Sequence, residues 1–224
     1  MPVFPVTQVT WPGCWRIIPS RFPPIDLLER VAPREDWSIL QEIETLTNER
    51  ISPNKASESL VQLSDWLSGP GTSLIMAPFC HPNPDGDHFT DGSFGIAYAL
   101  PTFEAALARS IRAREQFLRR TDQGPIQLQM RVLNLDLSGA LHDLRGHIAN
   151  DYRDVAAARA LSRNLRAEGS YGFLFDDITP DIGTTVAAFR PVIFSNCRQE
   201  RHLSYKWDGT KVAQVYDYTA MREL

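Results

Sequence analysis

Between residues 103 and 132 the hydrophobic period of this sequence changes from that of a helix to that of a strand. Thr102 is a good N-cap, and Ala106, Leu107, Ile111 and Phe117 make an apolar stripe on a predicted helix over residues 103–119, with four arginines on its other side. Pro125 then restarts the chain. Ile126, Leu128, Met130 and Val132 alternate with Gln127, Gln129 and Arg131, a period of two with one face buried. A striped helix and a half-buried strand so near one another each need a partner layer, which points to helices packed on a sheet.

The rest of the chain fills in both layers without the regular alternation of a doubly wound fold. Extended stretches are expected at 6–10 and 14–18, split by the turn Trp11-Pro12-Gly13, and further strands at 74–77, 93–98, 172–175, 186–189 and 212–218. Helices are expected at 25–31, at 37–50 behind the cap Asp36, and at 151–168 behind the cap Asp151, the last ended by Gly169. Residues 83–92 read as a polar loop. The class is α+β, as a single domain over residues 1–224, with an N-terminal helical segment at about 24–68 and the core sheet and cleft at about 69–224. No repeat or low-complexity segment interrupts it.

Charge and cysteine usage narrow the partners. Lys and Arg number 23 against 27 Asp and Glu, a net charge of -4 that gives no field for a nucleic acid backbone. Cys14, Cys80 and Cys197 are odd in number and form no CxxC pair, so free thiols and a cytoplasmic location are expected. No apolar run approaches the roughly 18 residues of a membrane helix, and the start lacks a basic leader with an apolar core, so no membrane partner is expected.

Generic catalytic motifs are absent: there is no phosphate-cradling glycine loop, no GxSxG elbow and no HExxH helix. The densest polar group is HPNPDGDHFTD at residues 81–91, with two imidazoles and three carboxylates. It reads either as ligands of a metal-assisted hydrolase or as a solvated loop, since Asp, Asn, Gly and Pro build any exposed turn and the spacing fits no standard metal loop; no metal is assigned. Cys80 and His81 are sequence neighbours, which an extended chain would point to opposite faces rather than join as a dyad. Arg109, Arg112, Arg119 and Arg120 read as a solvated helix face or as a phosphate-binding row.

Several blocks together resemble the RES-domain family of NAD+-degrading toxins, in a subgroup that opens with WRIIPSRFPP, here at residues 15–24. The others are GPGTSLIMAPFCH at 69–81, DGSFGIAYAL at 91–100, the helix FEAALARSIRAREQFL, GSYGFLF at 169–175 and FRPVIFSNCRQERHLSYKWDG at 189–209. The resemblance implies a mixed, twisted sheet similar to ADP-ribosyltransferase toxins. It implies a cleft taking NAD+ as substrate rather than cofactor, by hydrolysis, phosphorolysis or ADP-ribosyl transfer, and an Xre-like antitoxin as partner.

The resemblance also locates a site, and the sequence departs from it. Tyr98 matches the family tyrosine that packs against the nicotinamide end. The family arginine, ten residues before it, falls on His88, which has no guanidinium fork. The family glutamate, eleven residues after it, falls on Arg109, a charge reversal where a cationic ribose would form. Glu104 does not replace it, being rotated by about 140° on the helix. The family serine falls on Asp177. Tyr98 and His88 are thus the candidate substrate-binding residues and Arg109 and Asp177 the candidate catalytic ones. Two readings stay open: a compensated Arg109–Asp177 ion pair across a site with altered chemistry, or a catalytically inactive RES fold that binds a nucleotide or a protein.

Overall fold

The computed structural model describes residues 4–20, 60–67, 69–147, 154–179 and 181–218. Its centre is β3 (Ile126–Asp143), an 18-residue strand. The predicted alternation is correct at its start and changes phase at Val132 and Leu133, both fully buried. Met130 and Val132 face one side of the sheet and Leu133, Leu135 and Leu137 the other, with a register shift against the neighbouring strand at this point. Both faces are covered here, so the simple period fails although the strand continues.

Along one edge of β3 runs β1 (Val6–Pro19), antiparallel from Val6 opposite His142 to Pro19 opposite Met130. The turn expected at Trp11-Pro12-Gly13 is instead a bulge inside one strand, with the register shifting between Trp11 and Cys14. Gly13 has φ of +105° there, a conformation that side chains disfavour.

On the other edge, β6 (Phe194–Trp207) pairs antiparallel with β3 from Ile126 to Leu137, and β4 (Gly172–Asp176) pairs parallel with its end. The sheet continues through β5 (Thr184–Ala188) to β2 (Ala97–Ala99) on one side and β7 (Val212–Tyr218) on the other, seven strands in all. Mutual backbone bonds between Trp15 and Leu100, 2.8 and 3.1 Å, join β1 to the end of β2, so the sheet curls back on itself. The α+β class therefore stands.

Three helices cover this sheet among the described residues. Inside the curl lies α1 (Thr72–Cys80), which buries Ile75, Met76 and Phe79 against Leu133, Leu135 and Leu174. A strand was expected at 74–77; the four apolar residues fit a buried helix equally well, and the burial spacing is helical. Burial of each such side chain is worth about 1.5–3 kcal/mol. The close approach of α1 to β2 needs Gly95, where a Cβ would collide with the carbonyl of Pro78.

Outside the curl, α2 (Phe103–Arg120) packs Leu107 and Ile111 on Met130, Val132 and Tyr205, and Thr102 caps it as predicted, accepting from the amide of Ala105. Beside it, α3 (Val155–Ala167) packs Ala158, Leu161 and Leu165 on Phe173 and Phe175. Its cap is Asp154, accepting from Ala156 at 3.0 Å; Asp151 lies outside the described residues, as do the predicted helices at 25–31 and 37–50. The strand expected at 93–98 is shorter and later, at 97–99, and β6 was not expected, because residues 195–200 mostly face solvent and carry no apolar period.

Candidate functional site

In β2, Ala97 and Ala99 point into the core, which leaves Tyr98 pointing outward among the side chains beneath α3. Its hydroxyl donates to Asp87 Oδ2 at 2.7 Å. Burial, and then the charge of Asp87, push this hydroxyl well above its ordinary pKa, with Arg109 pulling the other way. Tyr98 is therefore a protonated donor at any physiological pH. Asp87 is itself fixed: Oδ1 accepts from the amides of Phe89 and Thr90 at 2.7 and 3.0 Å, and its carbonyl accepts from Nε and Nη2 of Arg159 on α3 at 2.9 and 2.8 Å.

Over the face of the same ring lies Arg109 of α2, its guanidinium carbon 4.0 Å from the ring centroid, a cation–π contact. Arg109 Nη1 also donates to Asp177 Oδ2 at 3.0 Å. Arg112, one helical turn on, donates from Nη1 to Asp177 Oδ1 at 2.7 Å and to the hydroxyl of Thr179. Asp177 follows directly on β4; its amide donates to the carbonyl of Gly183, and Oδ1 accepts the amide of Thr179 at 2.9 Å. Its side chain is only 7% exposed, against 24% for Arg109 and 35% for Arg112. One sunken carboxylate thus holds two guanidinium groups between α2 and the end of β4.

Three of the four residues singled out from sequence meet here: Tyr98, Arg109 and Asp177. The ion pair anticipated between Arg109 and Asp177 is present. His88 is exposed and stands edge-on to Phe89 at 4.8 Å, and the residue of its loop that reaches the tyrosine is Asp87. Neither Asp87 nor Arg159 was found from sequence; Arg112 was seen only as a member of the arginine face. That face divides: Arg119 pairs with Glu115 at the surface, whereas Arg109 and Arg112 turn to Asp177, a split that their i, i+3 spacing permits.

The other candidates stay apart. Among the described residues no three His, Cys, Asp or Glu side chains converge as a metal site. In the loop at 81–91, Asp91 accepts from the hydroxyl and amide of Ser93 and pairs with Arg163, which hold its carboxyl down at about 2. Burial pushes the thiol of Cys80 up, against any thiolate role, and it raises Cys14 to about 12 and Cys197 to about 11. No helix among the described residues is long and apolar enough to cross a membrane.

The family model of the RES domain matches residues 65–208, which contain every residue of this group. The chain belongs to the RES-domain family. It is 30% identical over 205 residues to the "Uncharacterized protein y4oC" of Sinorhizobium fredii (strain NBRC 101917 / NGR234), covering 91% of this chain and 86% of that protein. A chain in the crystal structure of the M. tuberculosis MbcT–MbcA toxin–antitoxin complex aligns with a TM-score of 0.47 at 11% identity, over 91% of this chain and 87% of that one. Within this RES domain, the positions that the sequence resemblance gives to glutamate and serine are the two ends of the Arg109–Asp177 pair.

Proposed function

We propose that this RES-domain protein takes an NAD+-type dinucleotide into the cleft beside Tyr98 and binds it without cleaving the nicotinamide–ribose bond. The observation that carries this is the position of Arg109, stacked on Tyr98 and bonded to Asp177 at once. Departure of nicotinamide leaves a cationic ribose, which a carboxylate stabilises and a neighbouring guanidinium opposes, most of all where water is thin. Among the described residues the carboxylates around the ring are already engaged, Asp87 by Tyr98 and two amides, Asp177 by two arginines and the amide of Thr179. In this reading the fold is of the ADP-ribosyltransferase kind, the protein is cytoplasmic, and an Xre-like antitoxin is the protein that covers the cleft.

A second reading, an active toxin component of a toxin–antitoxin pair acting on NAD+, draws on Asp177 itself. If a substrate displaced Arg109 from the tyrosine, Asp177 Oδ2 would lose its partner and a carboxylate would face the cleft. NAD+ binding and consumption by the purified protein, with and without phosphate, separate the two. Binding without consumption is expected of the wild type. Consumption by the wild type, with growth arrest on expression that Asp177→Asn abolishes, would overturn the first reading and establish the second. Consumption by Arg109→Glu alone would show that the charge reversal is what silences the site.

A further inference from the structure

Arg109 and Arg112 sit three residues apart on one face of α2, and both are oriented by the same carboxylate. Each spends a single nitrogen on it. Nη1 of Arg109 reaches Asp177, and Nη1 of Arg112 reaches Asp177 and Thr179. Nε and Nη2 of both groups have no partner among the described residues, and both side chains are partly exposed, at 24% and 35%. The nearby Asp87 does not serve them, since its oxygens are taken by Tyr98, Phe89 and Thr90, while the third arginine of the region, Arg159, is turned to its carbonyl.

Two consequences follow. Arg109, Arg112 and Arg159 bring three guanidinium charges against the two carboxylates of Asp87 and Asp177, so the mouth of the proposed cleft keeps one positive charge without a counterpart. The unspent edges are also planar forks with their rotamers already set by Asp177, which is the geometry that takes a carboxylate or phosphate through paired N–H bonds at little further cost in side-chain entropy. A cation placed there meets repulsion; an oxyanion completes the charge balance.

We propose that Arg109 and Arg112 form an oxyanion-binding subsite, so that the preferred ligand of the cleft carries a carboxylate or phosphate at the end lying against Tyr98. Resting on the dinucleotide reading above, this means a dinucleotide with an acid where NAD+ has an amide. Asp177 remains in place as the anchor of both forks and is not the group displaced.

Calorimetric titration of the purified protein with NAD+, with its nicotinic acid analogue and with inorganic phosphate tests this. The two dinucleotides differ only in amide against carboxylate, so their ratio isolates the subsite. The analogue is expected to bind about tenfold more tightly than NAD+, as charge-assisted hydrogen bonds allow. Arg112→Gln is expected to remove most of that preference. Should Arg112→Gln fail to fold by circular dichroism, Arg112→Lys, which keeps the charge and loses the fork, is expected to reduce the preference severalfold. Equal affinity for the two dinucleotides overturns the subsite and leaves the dinucleotide reading standing. Binding of phosphate in an Arg112-dependent manner, with neither dinucleotide bound, sinks the dinucleotide reading and upholds the subsite. If nothing binds, both fall.

Discussion

Among the described residues, Asp65 and Asp177 are both nearly buried, each is bonded to arginine, and in both cases an arginine lies over a tyrosine ring. Asp65, 6% exposed, accepts at Oδ2 from Nε of Arg190 at 2.7 Å and at Oδ1 from Nη2 at 2.5 Å, and Arg190 stands 4.5 Å over Tyr171. Asp177, 7% exposed, is shared between Arg109 and Arg112, with Arg109 over Tyr98 at 4.0 Å. In the first arrangement one fork meets one carboxylate and the charges cancel. In the second, two forks meet one carboxylate, each through a single nitrogen, and charge and donors are left over. The same residue types thus make a closed clamp between the turn before α1 and the end of β5, and an open, charged mouth beside α2. A balanced pair is structure; an unbalanced one has capacity for a ligand.

The largest effect is expected at the clamp. Asp65→Ala takes from Arg190 the carboxylate that its fork grips, and breaking a fully buried pair costs about 3–5 kcal/mol. Arg190 is about a quarter exposed and partly rehydrates, so a loss of about 2–3 kcal/mol is expected, read from the urea midpoint, with ligand binding unchanged. A midpoint that does not move would show the clamp to be ornamental.

Removing one arginine from the shared site is expected to cost less stability and more binding. Arg109→Ala leaves Asp177 with Arg112 and the amide of Thr179, so the carboxylate is not orphaned. The loss is one ion pair as buried as the clamp's and one cation–π contact, but because the carboxylate keeps its other partners the cost is together about 1–2 kcal/mol. Affinity for the acid dinucleotide should fall about tenfold in the same variant. A stability loss as large as that of Asp65→Ala would mean that Asp177 depends on Arg109 alone, and the contrast between clamp and mouth would collapse.

Much of the scaffold under this comparison was legible from sequence, and the failures have physical causes. The helix at 103–119 was clear because Thr102 and an unbroken stripe agree, and β3 was found where one face is solvated, then lost at Val132 where both faces become apolar. The strand assigned to 74–77 became α1 because a short apolar run has no period to arbitrate. β6 was missed because its middle is polar. Arg109 and Asp177 were legible as a pair because both depart from the resembled family together. Asp87 was not, since an aspartate in an Asp-Gly-Asp turn looks solvated until the loop is folded onto Tyr98.

The smallest expected effect separates the two regions by pH. Tyr98 is raised by burial and by Asp87, Tyr205 beneath α2 to about 12 by burial, and Cys14 and Cys197 to about 12 and 11. A group whose folded pKa lies above its unfolded one holds its proton longer in the native state. Its contribution is complete below the unfolded pKa and is lost as pH rises toward the folded one. Stability should therefore decline from about pH 9, where unfolded thiols ionise, and more steeply above about pH 10, where unfolded tyrosines do. Each variant is best compared with its own value at about pH 8, so that the hydrogen bond to Asp87 lost in Tyr98→Phe cancels. On that scale Tyr98→Phe should fall less than wild type between about pH 10 and 11, by about 1 kcal/mol at most. Identical alkaline profiles would mean that the tyrosine at the mouth ionises as freely in the folded protein as in the unfolded chain. In that case the enclosure of Tyr98 by Arg109 over its ring and Asp87 at its hydroxyl is looser than the geometry implies, and the surroundings are more hydrated than an oxyanion subsite of high affinity requires.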